Sequence, residues 1–292
     1  MTASVRVQAP AKINLHLRVY GRRSDGYHGI RSLFQAVSLS DLIVIRSLKN
    51  TDRIEIEGIF DCEPEKTTVH KAVEVFRSAT GIRTGVSISV RKSIPAGAGL
   101  GGGSSDAASV LAGLDSIFGT GLGEAGRASA GSMIGSDVPF FSRGAAALVE
   151  GRGEVVEPIS PRESFALVLA YPGFPVATSG AYALLDRERP DDSSEPDPSA
   201  GEIEAAYRGD FSLWDFRNSF EPYVAGSNPA IRALRLRLER SGSAFSRMTG
   251  SGSCVFGVFE DPGRAERVQE QLEADGVLSF AAISLARVPG LD

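Results

Sequence analysis

The chain is poor in the residues that build disulfide frameworks and metal centres. Its 292 residues include two cysteines and three histidines. Cys62 and Cys254 lie far apart, and His16, His28 and His70 show no metal-ligand spacing. The sequence therefore excludes a disulfide scaffold and a zinc-finger type of fold. This cysteine content favours a reducing compartment, and we expect a cytoplasmic protein.

Long apolar stretches and an excess of basic residues are also missing. No uninterrupted apolar run approaches the about 18 residues of a membrane helix, and the first residues lack the apolar core of a signal peptide. The net charge of −5 argues against a broad surface for nucleic acid or acidic membranes. We expect a small-molecule substrate, no nucleic-acid or membrane partner, and a monomer or weak homodimer.

The most informative segment is a run of small residues at 95–109, PAGAGLGGGSSDAAS. Apolar alternation at 86–90 predicts a strand before it, and apolar residues at helical spacing over 107–118 predict a helix after it. Glycine lets a backbone approach a ligand closely, and the Ser-Ser-Asp at 104–106 is suited to capping the first turn. A helix N-terminus of this kind binds phosphate through its N–H groups and partial positive charge.

Two common phosphate loops do not fit this run. A P-loop requires Lys and then Ser or Thr after its second glycine, but Gly102 is followed by Gly103 and Ser104. The G-x-G-x-x-G at 97–102 lacks the second parallel strand and terminal acidic residue of a dinucleotide site, since 119–136 predicts no strand. A flexible Gly/Ser turn remains the alternative to a phosphate cradle.

The run resembles the second motif of the GHMP kinase superfamily, Pro-x-x-x-Gly-Leu-Gly-Ser/Gly-Ser-Ser. Further segments extend this resemblance over most of the chain, in the order of the family: PAKINLHL at 10–17, GRRSDGYH at 21–28, SLFQAVSL at 32–39, GSDVPFF at 135–141, GRGE at 151–154 and MTGSGS at 248–253. Several separated motifs in one order are hard to obtain by chance.

The pattern of elements predicts an α+β protein. The first half combines strands at 4–8, 13–19, 42–46 and 145–149 with helices at 67–79 and near 124–134. A break is predicted at 157–163, followed by a buried strand at 165–170. A hairpin around 249–253, a helix at 262–275 and a strand at 278–286 predict a β-turn-β-α-β ending.

The resemblance implies the two-domain GHMP kinase fold. Residues 1–158 would form an N-terminal ATP-binding domain similar to ribosomal S5 domain 2. Residues 159–292 would form a ferredoxin-like C-terminal domain.

The resemblance also implies phosphoryl transfer from ATP to an alcohol, with Mg²⁺. Such a reaction requires a group that takes the hydroxyl proton and a cation that balances charge. The family places Lys12 and Asp137 beside the acceptor hydroxyl, with Asp137 as general base and Lys12 keeping that carboxylate ionised and stabilising the alkoxide. Taken alone, Asp137 is more typical of a turn or helix cap, and Lys12 of a surface lysine.

ATP binding would fall on the glycine-rich segment. The resemblance assigns it to eleven consecutive residues: Pro95, Ala96, Gly97, Ala98, Gly99, Leu100, Gly101, Gly102, Gly103, Ser104 and Ser105. We expect Ser104 and Ser105 to meet the phosphates or Mg²⁺ through hydroxyl and N–H groups. The family places the adenine near 55–70 and the strand before the loop.

Substrate recognition would fall on other residues. In the branch of the family that the N-terminal motifs resemble, the substrate is a methylerythritol carrying cytidine diphosphate, phosphorylated on its 2-hydroxyl in a route to isoprenoid precursors. There Tyr27 would stack on the cytosine, His28 would hydrogen-bond to it, and Tyr182 would cover its other face. Thr178 would lie near the diphosphate, and Asn14, on the strand face of Lys12, near the acceptor.

Some features allow a second interpretation. His28 could simply be exposed, Asn14 could be a strand-edge amide, and the glycines of 249–253 could serve only to close a hairpin, whereas the family has this motif close the pocket. Ser219 stands where many members have an acidic residue. The acidic run at 186–198 has the composition of a solvated loop and is expected not to touch the chemistry.

Two other functions fit the same motifs. One is a GHMP kinase for another alcohol, such as homoserine or mevalonate. The other is a non-catalytic nucleotide sensor on the same scaffold. The turn at 21–26 and the Tyr27-His28 pair speak against the first, and the presence of both Lys12 and Asp137 speaks against the second.

Overall fold

A computed structural model describes residues 3–162, 165–189 and 197–290. Its strands are β1 Ser4–Arg22, β2 His28–Leu48, β3 Ile54–Gly58, β4 Gly85–Arg91, β5 Ala146–Gly151, β6 Val155–Pro158, β7 Ala166–Tyr171, β8 Phe245–Met248, β9 Val255–Phe259 and β10 Leu278–Ile283. Its α-helices are α1 Thr68–Thr80, α2 Gly102–Phe118, α3 Gly123–Ser132, α4 Val138–Arg143, α5 Thr178–Glu188, α6 Ala200–Arg208, α7 Glu221–Ser227, α8 Pro229–Arg240 and α9 Pro262–Ala274.

The first six strands form one mixed sheet in the order β3-β4-β2-β5-β6, with β1 paired to β2. The long strand β2 is shared between neighbours, because residues 30–35 pair with β5 and residues 42–48 pair with β4. β1 and β2 are antiparallel, with register shifts after Pro10 and Asn14. The separate strands predicted at 4–8 and 13–19 are thus one continuous strand.

The last four strands form an antiparallel sheet in the order β10-β7-β9-β8. Together with α8 and α9 this gives the β-α-β-β-α-β connectivity of ferredoxin-like folds. The predicted hairpin, helix and final strand are confirmed within one to three residues. The α+β class with two sheets is also confirmed.

The two sheets pack together through a shared apolar cluster. Ile13 and Leu15 of β1 lie in this cluster with Leu169 of β7 and Phe256 of β9, and all four are almost fully buried. Two backbone bridges, Leu17 to Asn218 and Val37 to Ser284, tie the halves further. Burial of this apolar surface keeps the N-terminal sheet against the C-terminal one, so a site between them has fixed walls.

Helix α2 begins at the glycines. Its N-cap is Gly101 at φ 71°, and the N–H groups of Ser104 and Ser105 donate to the Gly101 carbonyl at 3.1 and 2.9 Å. The expectation that Ser104, Ser105 and Asp106 cap this helix is therefore wrong. These side chains follow the cap, because glycine reaches a left-handed cap conformation without steric cost.

Candidate active site

A cavity of about 1250 Å³ lies where the glycine-rich loop, β1, the start of α5 and the 249–253 turn meet. It exceeds the about 300–1,000 Å³ typical of a site for one drug-sized ligand. Its wall includes residues from the N-terminal half of the chain, which forms the first sheet, and from the C-terminal half, which forms the second. The cavity therefore has room for more than one ligand.

The alternation of β1 brings its polar residues to one face. Lys12 and Asn14 are both nearly buried, while the neighbours Ala11, Ile13 and Leu15 point into the apolar cluster. Lys12 Nζ donates to Asn14 Oδ1 at 2.5 Å. Asn14 is therefore not a free edge amide, and its contact with Lys12 follows from the two-residue period of a strand.

Lys12 also reaches Asp137. Its Nζ lies 3.5 Å from Asp137 Oδ2, and it lies 4.4 Å from the centroid of the Phe34 ring. Asp137 occupies the N-cap position of α4, yet within the described chain its side chain makes no capping hydrogen bond. Its carboxylate faces the cavity instead. The interpretations of Asp137 as a cap and of Lys12 as a surface lysine both fail.

Burial lowers the pKa of Lys12 below its ordinary value, although the Asp137 carboxylate opposes this shift. A buried ammonium without a counter-charge would be costly, so the pair stabilises the charged lysine inside the site. The arrangement places one carboxylate and one cation side by side, as proton transfer from an alcohol requires.

The glycine-rich loop is fastened to three parts of the chain. Its carbonyls accept from Lys12 N–H at 2.9 Å, from Val176 N–H at 3.0 Å and from Cys254 N–H at 3.1 Å. At Gly99 (φ 78°), a Cβ would lie 2.2 Å from the Thr249 carbonyl oxygen. Only glycine fits there, because both the conformation and the contact exclude a side chain.

Ten of the eleven assigned loop residues, 95–104, line the cavity. Helix α2 leaves the N–H groups of Gly102 and Gly103 without intrahelical acceptors, so they are available to an anion. Ser105 differs. It is fully buried, and its hydroxyl has no hydrogen-bond partner among the described residues. The expectation that the Ser105 hydroxyl and N–H meet the phosphates is not met by this placement.

Lys92 was missed by the sequence analysis. It follows β4, lines the cavity, and pairs with Asp106 at 2.6 Å and with Asp41. Burial by itself would lower the pKa of Lys92, but the two carboxylates outweigh it and raise that pKa. Burial raises the pKa of Asp106 to about 7, against the opposing ammonium. The three partners come from separate elements, so no local pattern reveals them.

The cavity wall also includes Ile59, Phe60 and the segment 66–68. This wall lies in the region where the resemblance puts the adenine. Thr68 Oγ1 donates to the Gly103 carbonyl at 2.6 Å, which fixes α1 against the loop.

The aromatic residues line the same cavity but do not form an open sandwich. Tyr182 stacks on His28, with ring centroids 5.0 Å apart and an angle of 24°. Tyr27 is 59% exposed, and the Arg152 guanidinium lies 5.0 Å from its ring centroid. The His28 side chain is largely buried rather than exposed, so the alternative of a merely exposed histidine is wrong.

The turn at 249–253 contacts both β1 and the start of α5. Asn14 N–H donates to Thr249 Oγ1 at 3.0 Å, and Thr178 and Ser251 share a hydroxyl contact of 3.1 Å. Gly250 and Ser251 line the cavity. The turn thus does more than close a hairpin, and it places Thr178 at the site.

The departure at Ser219 has a structural account. Its Oγ accepts from Val19 N–H at 3.0 Å, so the hydroxyl supports β1. Nearby, Asn218 Nδ2 donates to the carbonyls of Met248 and Gly250 at 2.7 and 2.8 Å. These bonds hold the 249–253 turn without an acidic side chain at position 219.

The acidic run at 186–198 touches the site at its first residue, Asp186, contrary to expectation, whereas Asp197 near its end contacts Tyr20 outside the cavity wall. Asp186 belongs to α5 and lies 3.1 Å from His28 Nε2. Asp197 accepts from Tyr20 Oη at 3.1 Å. Residues 190–196 of this run lie outside the described residues.

Neither a metal cluster nor a membrane-spanning helix is found in the described ranges. There, no group of three or more His, Cys, Asp or Glu side chains is arranged to hold a metal ion. Likewise, no helix of that part of the chain has the length and apolar character to cross a bilayer.

Family models match two parts of the chain. The model of the GHMP kinases N terminal domain matches residues 67–145, and that of the GHMP kinases C terminal matches residues 199–278. A 4-diphosphocytidyl-2-C-methyl-D-erythritol kinase from Treponema pallidum (strain Nichols) is 38% identical over 275 residues, covering 92% of this chain and 94% of the relative. One from Thermodesulfovibrio yellowstonii is 37% identical over 273 residues, covering 91% and 93%.

Solved structures agree. A crystal structure of 4-(cytidine 5'-diphospho)-2C-methyl-D-erythritol kinase superposes with a TM-score of 0.82 at 33% identity, covering 96% of this chain and 99% of the other. Homoserine kinase from Cytophaga hutchinsonii shares the fold, with a TM-score of 0.70 at 18% identity, covering 98% and 96%. The identity and coverage of the first three relatives show that this chain belongs to the 4-diphosphocytidyl-2-C-methyl-D-erythritol kinase family of the GHMP kinases.

Proposed function

We propose that the protein phosphorylates the 2-hydroxyl of 4-diphosphocytidyl-2-C-methyl-D-erythritol with ATP and Mg²⁺, a step of non-mevalonate isoprenoid precursor biosynthesis. One observation carries this proposal. The Lys12–Asp137 pair, 3.5 Å apart, lies in the same cavity as the N–H groups of the glycine-rich loop. A proton acceptor, a cation and a phosphate cradle thus face one space.

In the proposed reaction, Asp137 accepts the proton of the 2-hydroxyl while that oxygen attacks the γ-phosphorus of ATP. The bond between the γ-phosphorus and its bridging oxygen breaks, and ADP leaves. Lys12 balances the negative charge that collects on the attacking oxygen. Because phosphoryl transfer depends mainly on positioning and charge, these two side chains and the loop account for the chemistry.

The loop residues 95–104 would bind the ATP phosphates, with the N–H groups of Gly102 and Gly103 as donors. Mg²⁺, when bound, neutralises phosphate charge and orients the oxygens. It commonly uses one or two protein oxygens together with phosphates and water, and the Ser104 hydroxyl at the cavity wall fits that donor chemistry.

The opposite end of the cavity would hold the cytidine diphosphate. Tyr27 offers an exposed aromatic ring for stacking, and His28 and Tyr182 form a stacked pair that lines the same cavity. Thr178 opens α5, where N–H groups favour an anion such as the diphosphate. Asn14 would contact the acceptor beside Lys12.

A domain boundary between residues 158 and 159 is part of the proposal. It is supported by β6, which ends the first sheet at Pro158, and by β7, which starts the second at Ala166. A cytoplasmic monomer or weak homodimer is the proposed working form.

The test is an incubation with Mg²⁺-ATP and 4-diphosphocytidyl-2-C-methyl-D-erythritol, homoserine or mevalonate in parallel. We expect ADP release and a phosphorylated product with the cytidyl substrate alone. A reaction without acceptor measures background ATP hydrolysis. Transfer to homoserine or mevalonate would replace the proposed substrate, and ATP binding without transfer to any acceptor would support the nucleotide sensor.

A further inference from the structure

The imidazole of His28 is held from both sides. Its Nδ1 lies 2.8 Å from the Tyr20 carbonyl oxygen, and its Nε2 lies 3.1 Å from Asp186 Oδ1. A carbonyl oxygen only accepts hydrogen bonds, so Nδ1 carries a proton and Nε2 faces Asp186. The backbone therefore orients the ring, and its Nε2 edge lies beside the Asp186 carboxylate.

Asp186 reaches this edge because of its position on α5. It follows Tyr182 by one helical turn, so the two side chains share a helix face. Tyr182 covers the face of the His28 ring at 5.0 Å, while Asp186 covers its edge. The His28 side chain is 8% exposed, Asp186 is 42% exposed, and both line the cavity. The carboxylate thus remains accessible to a ligand.

We propose that Asp186 determines nucleobase specificity, accepting a hydrogen bond from the exocyclic amino group of cytosine and rejecting uracil. This inference rests on the proposed function, which places the cytidine at this end of the cavity. An ionised carboxylate only accepts hydrogen bonds. Asp186 faces His28 through Oδ1, so its second carboxylate oxygen can accept from a ligand.

The two pyrimidines differ at the relevant position. Cytosine carries an amino donor on C4, whereas uracil carries a carbonyl acceptor there. The donor would meet the carboxylate in a charge-assisted hydrogen bond, and the carbonyl would meet it as a repulsive pair of acceptors. Stacking on Tyr27 cannot separate these bases, because both present similar flat faces. Discrimination therefore requires a polar group at the edge, and Asp186 supplies one.

The experiment compares wild type, Asp186→Asn, Asp186→Glu and Glu188→Gln. Glu188 lies on the same helix and pairs with Arg187 at 2.8 Å, so its variant removes a nearby charge without changing the pocket. Calorimetric titrations with CDP and with UDP, in saturating ADP, give the ratio of their dissociation constants. The ratio of kcat/KM for cytidine- and uridine-diphosphate-linked methylerythritol is measured in parallel, together with KM for ATP.

We expect Asp186→Asn to reduce the preference for cytosine by about 10- to 100-fold, the range of one hydrogen bond to a charged group. The amide can donate to the uracil carbonyl, so KM for the uridyl substrate falls while KM for ATP is unchanged. Asp186→Glu keeps a carboxylate and retains part of the preference, and Glu188→Gln retains all of it.

An unchanged CDP-to-UDP ratio in folded Asp186→Asn would overturn the inference. So would an equal change in Glu188→Gln, because the effect would then come from general charge. A wild type that transfers no phosphate to the cytidyl substrate would defeat the proposed function, whereas the CDP and UDP titrations would still decide the role of Asp186.

Discussion

The Lys12 ammonium lies 3.5 Å from the Asp137 carboxylate, although one side chain belongs to β1 and the other precedes α4. The side chain of Lys12 is 5% exposed and that of Asp137 is 29% exposed, so the cation is enclosed while the carboxylate remains open to a ligand. This asymmetry suits a base that must reach a hydroxyl and a cation that must stay in place.

Asp137→Asn should lower kcat by about 10²- to 10⁴-fold, because the amide cannot accept the hydroxyl proton. KM for ATP should change little. The matched control is Asp261→Asn, since Asp261 caps α9 by accepting from Gly263 N–H at 3.0 Å. That variant keeps a capping oxygen, so it should leave both stability and kcat near those of wild type. Steady-state ADP release measures both, and near-normal kcat in folded Asp137→Asn would remove the base assignment.

The alkaline limb of the activity profile should begin below pH 10.5, the ordinary lysine pKa. Burial lowers the pKa of Lys12, so it loses its charge at lower pH than an exposed lysine. The active form is the protonated one, and activity therefore falls as pH rises through the lowered pKa. Lys12→Arg, which keeps its charge at alkaline pH, should abolish this limb in its residual activity. A limb that persists in this variant would assign it to another group.

Gly99→Ala should raise KM for ATP by about 10- to 100-fold, because a Cβ would lie 2.2 Å from the Thr249 carbonyl oxygen and displace the loop. Gly119→Ala is the control. It also has a positive φ, of 59°, but no described atom lies within 4 Å of its Cβ. It should cost about 1 kcal/mol of unfolding free energy and leave KM unchanged. Equal KM values in the two variants would contradict the tight fit.

Tyr27→Ala should raise KM for the cytidyl substrate far more than KM for ATP. The loss of a stacking face costs about 1–3 kcal/mol per base, or about 5- to 150-fold. Because Tyr27 is 59% exposed, the melting temperature should stay near that of wild type. Leu213→Ala, at 80% exposure and outside the cavity wall, is the control for removing an exposed apolar side chain. Equal increases in the KM for the cytidyl substrate and the KM for ATP would refute the assignment of Tyr27 to the cytidine part of the cavity.

The free energy of unfolding should fall as the pH decreases from 6.5 towards 4. Burial lowers the pKa of His16 to about 4, with a smaller opposing effect from Asp197. In this window the unfolded chain binds the proton and the folded chain does not, so acid favours unfolding, by up to about 3 kcal/mol. The loss is complete only below the folded pKa.

His16→Gln should flatten this pH dependence. Urea unfolding at pH 7.5, 6 and 5 measures the slope. If His16→Gln keeps the full slope, the acid sensitivity comes from other groups.

Local sequence patterns predicted much of the fold. Alternating and helical periodicities located β4, α1, β7 and α9 within about two residues, because these signals depend on the chain nearest each residue. The glycine-rich loop was predicted in the same way, since glycine is required where the backbone takes a positive φ. Ser105 was assigned to the ligand because a motif does not specify which side of a helix faces the core.

The sequence by itself determined the chemistry available to this protein: a backbone cradle, one lysine, one carboxylate and a pair of aromatic residues in a turn. The tertiary structure alone decided which of these groups meet. Lys92 with Asp106 and Asp41, and His28 with Asp186, are pairs between distant elements. Their contacts depend on how the sheets and helices pack, and packing energy is a property of the whole core rather than of any local segment.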